Sequence, residues 1–123
     1  MPLRYDIPIA SDLVFVTGFG PVSLVDGATL ARRVATDDRL AASFGMLVRL
    51  AEARVALDAD RDTAVDAAET LRTRGLRRTA VVAADPAGYD LGRAFATRAA
   101  DYGLAVRVFS DDLEAVSWLL GVE

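Results

Sequence analysis

A run of six uncharged and mostly apolar residues, Thr79-Ala80-Val81-Val82-Ala83-Ala84, constrains the fold of this chain more than any other feature. Arg77 and Arg78 precede it, and Asp85 and Pro86 follow it. A strand with one solvent-exposed face alternates apolar and polar residues, whereas a strand covered on both faces has a continuous apolar sequence. The run therefore predicts a central strand of a largely parallel sheet.

Short apolar segments and amphipathic segments alternate along the rest of the chain. Polar residues that cap helices stand before the amphipathic segments, and glycines follow three of them. We predict strands at Leu3–Ile9, Leu13–Thr17, Met46–Ala51, Thr79–Ala84 and Leu104–Phe109. We predict helices at Leu24–Thr36, from Asp60 or Asp62 to Arg74, at Tyr89–Tyr102, and from Asp111 or Asp112 to Leu120.

The resulting order is β-β-α-β-α-β-α-β-α, which indicates an α/β fold. Alternating strands and helices favour a five-stranded, mainly parallel sheet, with the first strand antiparallel at its edge. Pro8 in the first segment fits an edge position, because proline cannot donate a ladder hydrogen bond. The 123 residues suit one domain, and the sequence contains no linker or repeat, so we predict a single domain over residues 1–123.

Two predicted strands carry an arginine in the middle of one face, Arg49 in the third strand and Arg107 in the fifth. A sheet sandwiched between helices on both sides should not bury such residues. We therefore expect helices mainly on one face and a second face that is partly open. The last helix should bury Trp118 against the fifth strand.

The second face predicts a homodimer. Phe15, Leu47 and Phe109 would form an apolar patch there, interrupted by Arg49 and Arg107, and a monomer seldom leaves a large apolar patch in water. Arginine suits interfaces because its stem packs while its planar head pairs or stacks. The candidate dimer face is thus Phe15, Arg49, Arg107 and Phe109; the alternative is that the first strand and loops cover this face.

The residue types that are missing exclude many chemistries. The chain has no His, Cys, Lys, Asn or Gln, and all 14 basic residues are arginines. This removes the Ser-His-Asp triad, the cysteine nucleophile, the Schiff-base lysine and any His/Cys zinc site. Asp58, Asp60 and Asp62 alternate as cation ligands could, but helix capping and solvation explain them better. We predict a protein that is not an enzyme and needs no cofactor or metal.

The net charge of −4 argues against nucleic-acid binding, which usually requires a basic face. No stretch reaches the roughly 18 apolar residues that span a bilayer, and the N-terminus lacks the pattern of a signal peptide. We expect a cytoplasmic protein, which the absence of cysteine fits.

Polar residues follow the third and fourth predicted strands. The carboxyl ends of neighbouring parallel strands converge at one edge of a sheet, where ligands bind. The candidate ligand- or partner-binding residues there are Glu52, Arg54, Asp85, Tyr89 and Arg93. The alternative to a binding site is a cluster of ion pairs on the surface. A third interpretation makes Glu52 or Asp85 a general base, in an enzyme that would use only carboxylate, arginine and tyrosine groups.

Gly18 and Gly20 follow the second predicted strand, where a dinucleotide-binding fingerprint would begin. The third glycine of that pattern is absent, since position 23 is serine. We interpret Gly18-Phe19-Gly20-Pro21 as a tight turn that ends the strand.

The element order and several late motifs resemble the STAS family, the anti-sigma-factor antagonist fold, and its small stand-alone bacterial members in particular. The motifs are Ala80-Val81-Val82-Ala83, Gly92-Arg93-Ala94-Phe95, Val106-Arg107-Val108-Phe109-Ser110-Asp111 and Glu114-Ala115-Val116-Ser117-Trp118-Leu119. The resemblance implies a non-enzymatic binding or regulatory module that acts through protein–protein contact.

The phosphorylation switch of that family is not implied here. In the family, an Asp-x-Ser after the third strand presents a phosphorylatable serine at the start of the next helix. The matching stretch, Arg49-Leu50-Ala51-Glu52-Ala53-Arg54, has neither serine nor threonine, and Arg49 replaces the usual acidic residue. Some STAS relatives are thought to bind small or lipid-like ligands. The alternative function is therefore a ligand carrier that uses the open sheet face or the strand-end cleft.

Overall fold

The computed structural model describes residues 3–9, 11–22, 24–55, 61–101 and 103–121, and within them the order of strands and helices is the predicted one. The strands are β1 (Leu3–Asp6), β2 (Leu13–Val22), β3 (Phe44–Val55), β4 (Leu76–Val82) and β5 (Val106–Phe109). The helices are α1 (Leu24–Ala35), α2 (Arg61–Arg74), α3 (Pro86–Ala100) and α4 (Asp112–Leu120). Asp60 and Tyr102, two of the predicted helix ends, and Asp58 lie outside the described residues.

The five strands form one sheet in the order β1-β2-β3-β4-β5. β1 is antiparallel to β2 and the other pairs are parallel, which confirms the predicted mixed sheet. One row of paired valines crosses the four parallel strands, Val16 with Val48, Val48 with Val81, and Val81 with Val108. Paired residues in neighbouring strands point to the same side, so this row fixes what we call the first face.

Three helices, α1, α2 and α3, lie on the side of the first face, as expected for helices mainly on one face. Val14, Val34 and Phe44 are fully buried between β1–β3 and the helices α1 and α2. α3 packs against β5 at Gly92, where an added Cβ would come within 2.9 Å of a Val108 methyl carbon. Each such buried aliphatic side chain contributes roughly 1.5–3 kcal/mol, so this layer holds most of the stabilising apolar area.

Only α4 packs on the second face among the described helices. Ala115 and Leu119 are buried against residues of β3, β4 and β5, including Leu47 and Phe109. Of the two predicted caps, Asp111 is the one used, since its Oδ1 accepts a hydrogen bond of 2.9 Å from the Leu113 amide. Gly121 ends α4 in the left-handed conformation that glycine favours.

Trp118 contacts β5 as predicted, but it is only half-buried. Its ring lies 5.8 Å from that of Phe109, centroid to centroid, and inclined at 49°. The Arg78 guanidinium lies 5.1 Å from the centroid of the Trp118 ring and donates a hydrogen bond of 2.6 Å to the Trp118 carbonyl. Trp118 is thus packed against β5 as predicted, and the Arg78 guanidinium covers part of the indole that β5 leaves exposed.

β2 continues through the predicted turn, so the interpretation of Gly18-Phe19-Gly20-Pro21 as a turn is wrong. Burial alternates to the end of the strand, with Phe19 exposed and Val22 buried in the core of the first face. The last described pair between β1 and β2 is Leu3 with Gly18, so at Pro21 only β3 pairs with β2. Proline is tolerated there because one edge of the strand needs no backbone N–H donor.

β3 is twice as long as predicted, because its second half pairs with the end of β2. A bulge separates the pair Thr17–Arg49 from the pair Phe19–Glu52. Glu52 and Arg54 alternate with Ala53 and Val55 there, but alanine is a poor strand former, so the pairing with β2 is what identifies the extension.

A hydrogen-bonded cluster ties β1 to the segment after α1. Asp37 accepts a hydrogen bond of 2.8 Å from the Tyr5 hydroxyl and a bidentate pair from the Arg39 guanidinium at 2.8 and 3.1 Å. The hydrogen bonds from Arg39, followed by that from Tyr5, hold the pKa of Asp37 well below its usual range. Burial, and then the hydrogen bond to Asp37, raises the pKa of Tyr5.

Gly75→Ala should destabilise the fold strongly. Gly75 has a φ of +130°, and an added Cβ would lie 2.0 Å from the Ala42 carbonyl oxygen, which belongs to backbone and cannot rotate away. We expect a loss of about 3 kcal/mol or more. Gly103→Ala is the matched control, because Gly103 also has a positive φ but nothing within 4 Å, and about 1 kcal/mol should be lost. Urea denaturation measures both, and equal losses would contradict the close approach of Gly75 to Ala42.

Asp37→Asn should change how stability depends on pH. A carboxyl whose native pKa is depressed stabilises the fold fully above its ordinary pKa of about 4, and this stabilisation is lost as the pH falls towards the native pKa. The Tm of the variant should therefore lie below that of the wild type at pH 7, and the two should converge below pH 4. Asp38→Asn, at the exposed neighbour, is the control. If the Tm difference between wild type and variant stayed constant from pH 7 to pH 2, the charge of Asp37 would not be the source of its stabilising effect.

Candidate functional site

The second face is covered by α4 over β3, β4 and β5, and α4 also reaches Leu13 at the start of β2, which is buried in one cluster with Leu119. The described helices leave the rest of β2 and β1 uncovered on this face. The second-face residues left in water form what we call the uncovered strip: Arg4, Asp6, Thr17, Phe19 and Arg49. Thr17 pairs with Arg4 on one side and with Arg49 on the other, so the strip crosses three strands. The strip is therefore a continuous surface of the sheet.

Two contacts define the chemistry of the uncovered strip. The Arg4 guanidinium lies 5.8 Å from the centroid of the Phe19 ring, and Phe19 is 42% exposed. At the opposite end, Arg49 Nη2 is 2.7 Å from Asp112 Oδ2, in the first turn of α4. The strip thus presents an aromatic ring and two arginine side chains to solvent.

The predicted dimer face divides into covered and exposed members. Phe109 is buried under α4, Phe15 is half-buried, and Arg49 and Arg107 are exposed. The Arg107 guanidinium stands 5.3 Å from the centroid of the Phe109 ring. The exposed apolar patch expected from Phe15, Leu47 and Phe109 does not exist as one surface, because α4 covers two of its three members.

Asp85 in the predicted strand-end site caps a helix. Its Oδ1 accepts a hydrogen bond of 3.0 Å from the Gly88 amide, and Pro86 occupies the first helical position. A Cβ on Gly88 would stand 2.6 Å from that oxygen, so glycine allows the cap to close. Tyr89 and Arg93 follow in the first two turns of α3, where Arg93 is exposed. α3 therefore begins at Pro86, three residues before the predicted helix start at Tyr89.

Glu52 and Arg54 lie on the projecting half of β3, beyond its last pair with β4 at Arg49. Arg54 is five residues further along the strand, or about 16.5 Å at ~3.3 Å per residue. β3 and β4 therefore do not end at the same level, contrary to the expectation of converging strand ends. The side chains of Glu52 and Arg54 lie outside the described part, so the grouping of these residues with Asp85 and α3 stays a prediction.

The described residues also form a small cavity of about 20 Å³ between α2, β4 and β5. Arg72 and Arg77 stand at its margin, but Arg72 pairs with Glu69 and Arg77 with Asp12. Ligand pockets of small-molecule binders usually enclose ~300–1,000 Å³. This cavity is thus too small to support the carrier alternative.

The described ranges contain neither an acidic cluster that could bind a metal ion nor a helix that could span a membrane. No group of three or more acidic side chains there could hold a metal ion, with Asp58 and Asp60 outside those ranges. Nor does any helix in the same ranges have both the length and the hydropathy to cross a bilayer.

The outward side of α4 is a surface that the sequence analysis missed. Leu113 is 77% exposed and Leu120 is 55% exposed, and partly buried Val116 lies between them. The spacing of three and four residues was a readable signal, because it marks a second apolar stripe on the same helix.

The comparisons with known proteins identify the fold. An uncharacterised protein of the DUF3478 family with a SpoIIAA-like fold, from Shewanella loihica PV-4, is 17% identical, with a TM-score of 0.59 over 95% of this chain and 93% of that one. The anti-sigma factor antagonist SpoIIAA in its unphosphorylated form is 11% identical, with a TM-score of 0.56 over 98% of this chain and 99% of that one. No protein-family model and no curated protein matches the sequence. The chain therefore has the SpoIIAA-like, or STAS-like, fold that the element order predicted.

Proposed function

We propose that the protein is a non-enzymatic binding or regulatory module of the cytoplasm that acts through protein–protein contact. The SpoIIAA-like fold supports a regulatory interaction module, since one similar structure is an anti-sigma factor antagonist. The observation that carries the proposal is the uncovered strip, where an exposed aromatic ring and arginines stand on the part of the second face that α4 leaves uncovered.

The composition of the strip is that of a protein-binding surface. Aromatic residues and arginine are enriched at interfaces and supply most of the binding energy there. Phe19 offers an apolar anchor, and the guanidinium of Arg4 is already positioned over it. Asp6 is also exposed on the strip, so a partner with complementary charges would be oriented as well as attracted.

A role without catalysis is supported by what the polar side chains already do. Asp85 caps α3 and Asp112 pairs with Arg49, so two acidic residues near the strand ends have structural partners. The sequence offers no histidine, cysteine or lysine that could act beside them. Nucleophilic and general acid–base mechanisms usually depend on those residue types.

The module would work without the phosphorylation switch after β3. No serine or threonine occurs from Leu50 to Asp62. Control of partner binding would then depend on the abundance of the protein or of its partner rather than on phosphorylation of this loop.

Affinity purification with matched variants tests the proposal. The full chain is tagged and expressed in its source cell as wild type, as Arg4→Ser/Phe19→Thr, and as Ile9→Thr. Ile9 is the control, because it is a fully exposed apolar residue away from the strip. We expect at least one protein to copurify with the wild type and with Ile9→Thr, and to fall about tenfold or more with Arg4→Ser/Phe19→Thr, in line with the ~2 kcal/mol lost at a hot spot.

Two outcomes would overturn the proposal. A partner that the strip variant retains at the wild-type level would place binding elsewhere on the molecule. Copurification of no protein above the untagged background would remove the protein–protein function itself.

A further inference from the structure

The outer edge of β1 has no partner strand among the described residues. β1 stands first in the sheet and pairs only with β2, and no described backbone group bonds to its other side. An unpaired edge presents a row of amide and carbonyl groups to which another strand can add. Pro8 has no N–H donor, so the stretch that can pair runs from Leu3 to Ile7.

The two charged residues of β1 have opposite signs and lie on the same face of the sheet. Arg4 and Asp6 are both exposed on the second face, and no ion pair among the described residues involves either of them. Leu3 and Ile7 flank them and are buried in the core of the first face. The edge is thus symmetric about Tyr5, with opposite charges at equal distances from the centre and an apolar residue at each end.

We propose that a second copy of this chain pairs with this edge, with the two β1 strands antiparallel about a two-fold axis at Tyr5. In this register Arg4 lies opposite the partner's Asp6, and Asp6 lies opposite the partner's Arg4. Opposite charges directly across an antiparallel pair stabilise it. A two-fold interface requires a surface that is complementary to itself, and β1 meets that condition. The two five-stranded sheets would join into one.

The same charges select this register over its neighbours. Residues directly opposite each other in an antiparallel pair lie on the same face, so a symmetric pairing must be centred on one residue. A centre at Arg4 would set this arginine against its own copy, and a centre at Asp6 would set two carboxylates together. Like charges directly opposite are unfavourable. Of the three central residues of the edge, only Tyr5 gives opposite charges in both pairs.

Arg4 can reach the partner strand although its guanidinium now lies beside the Phe19 ring. That contact is 5.8 Å long and exposed to solvent, and cation–π contacts at exposed sites are weak. The arginine stem is long and flexible, so the guanidinium can turn from the ring to a carboxylate on the outer side of β1. The monomer therefore loses little when the ion pairs of the dimer form.

The inference goes beyond the proposed function, since it concerns the edge of β1 and a second copy rather than another protein. It places the dimer contact at the edge of the sheet and not at the predicted face of Phe15, Arg49, Arg107 and Phe109. Five strand residues span about 16.5 Å and bury less than the ~1,200–2,000 Å² of a standard interface. The dimer should accordingly be weak, with a Kd in the micromolar range.

Sedimentation velocity over about 1–300 μM measures the association. The mass of the wild type should rise from near 13.1 kDa towards twice that value. Arg4→Asp and Asp6→Arg should each raise the Kd by about tenfold or more, because each sets like charges opposite one another in both symmetric pairs. The double variant Arg4→Asp/Asp6→Arg restores opposite charges and should return the Kd to within about threefold of the wild type.

Asp90→Arg is the matched control for the charge change. Asp90 is exposed on α3, which packs against β5 at the other end of the sheet, so the Kd should stay at the wild-type value. Arg4, Asp6 and Asp90 are all exposed, so folding should be kept in every variant, as circular dichroism and Tm would verify.

Disulfide trapping tests the register. The chain has no cysteine, so introduced thiols report a single contact. A mixture of Arg4→Cys and Asp6→Cys should form a disulfide-linked heterodimer under mild oxidation, because opposite residues have Cα atoms about 4.5–5.5 Å apart. The second ion pair is kept in this heterodimer. Each variant alone is the control and should react at least about tenfold more slowly, since the Cα atoms of its two copies would be about 8 Å apart.

Three results would overturn the dimer. They are a mass that stays at one chain up to about 300 μM, a double variant that associates no better than the single ones, and equal trapping in the mixture and in each cysteine variant alone.

Phe19→Thr separates this inference from the proposed function. It removes the apolar anchor of the uncovered strip but no residue of the paired edge, so the Kd of the dimer should stay unchanged while copurification of a partner falls. Partner binding measured with this variant does not depend on the dimer, and the two proposals therefore fail separately.

Discussion

The second face of the sheet cannot be covered completely, because it contains arginines whose guanidinium groups must stay hydrated. Arg49 and Arg107 stand in the middle of β3 and β5, and Arg4 faces the same side from β1. Burying an unpaired guanidinium costs far more than the apolar area around it returns. Among the described helices only the nine-residue α4 packs on this face, and the other three pack on the opposite side.

α4 resolves the conflict between these arginines and the apolar residues beside them. On its buried side, the small side chain of Ala115 lets the helix approach the sheet closely. The larger side chains of Leu119 and Trp118 fill the space further along the helix. The guanidinium groups of Arg78 and Arg107 then cover aromatic rings from outside, where cation–π contacts contribute about 0.5–1 kcal/mol each. The same arrangement leaves the uncovered strip on one flank of α4 and the apolar stripe on its outer side.

The sequence contained enough information for the order of the elements but not for their length. The apolar run around Val81 and the cap at Asp111 are local signals, and both predicted the structure correctly. The extension of β2 through Phe19 and Val22 depends on pairing with the second half of β3, which is far away in the sequence. Local turn residues such as Gly20 and Pro21 then misled the prediction, because tertiary pairing outweighed their preference for turns.

The candidate site was predicted less well than the fold, for a related reason. Residue types show which groups could react, but not which groups already have partners. The position of Asp85 in the sequence allowed it to be a general base. In the structure its carboxylate accepts a hydrogen bond from the Gly88 amide and caps α3. Leu113 and Leu120 are exposed on the helix that buries Leu119, and a sequence does not show which apolar residues of α4 face the sheet.

The relative strength of the contacts decides which arginine is available to a partner. Arg49 and Asp112 are each nearly half exposed, and an ion pair of that kind contributes only about 0–1 kcal/mol. The burial of Leu119 alone contributes roughly 1.5–3 kcal/mol, so α4 stays in place through its apolar side whether or not the ion pair is formed. Arg49 can thus exchange Asp112 for another carboxylate at little cost in stability. Arg78 cannot do so as freely, because it holds both the ring and the carbonyl of Trp118. The uncovered strip is therefore the part of the second face where binding another protein would disturb the fold least.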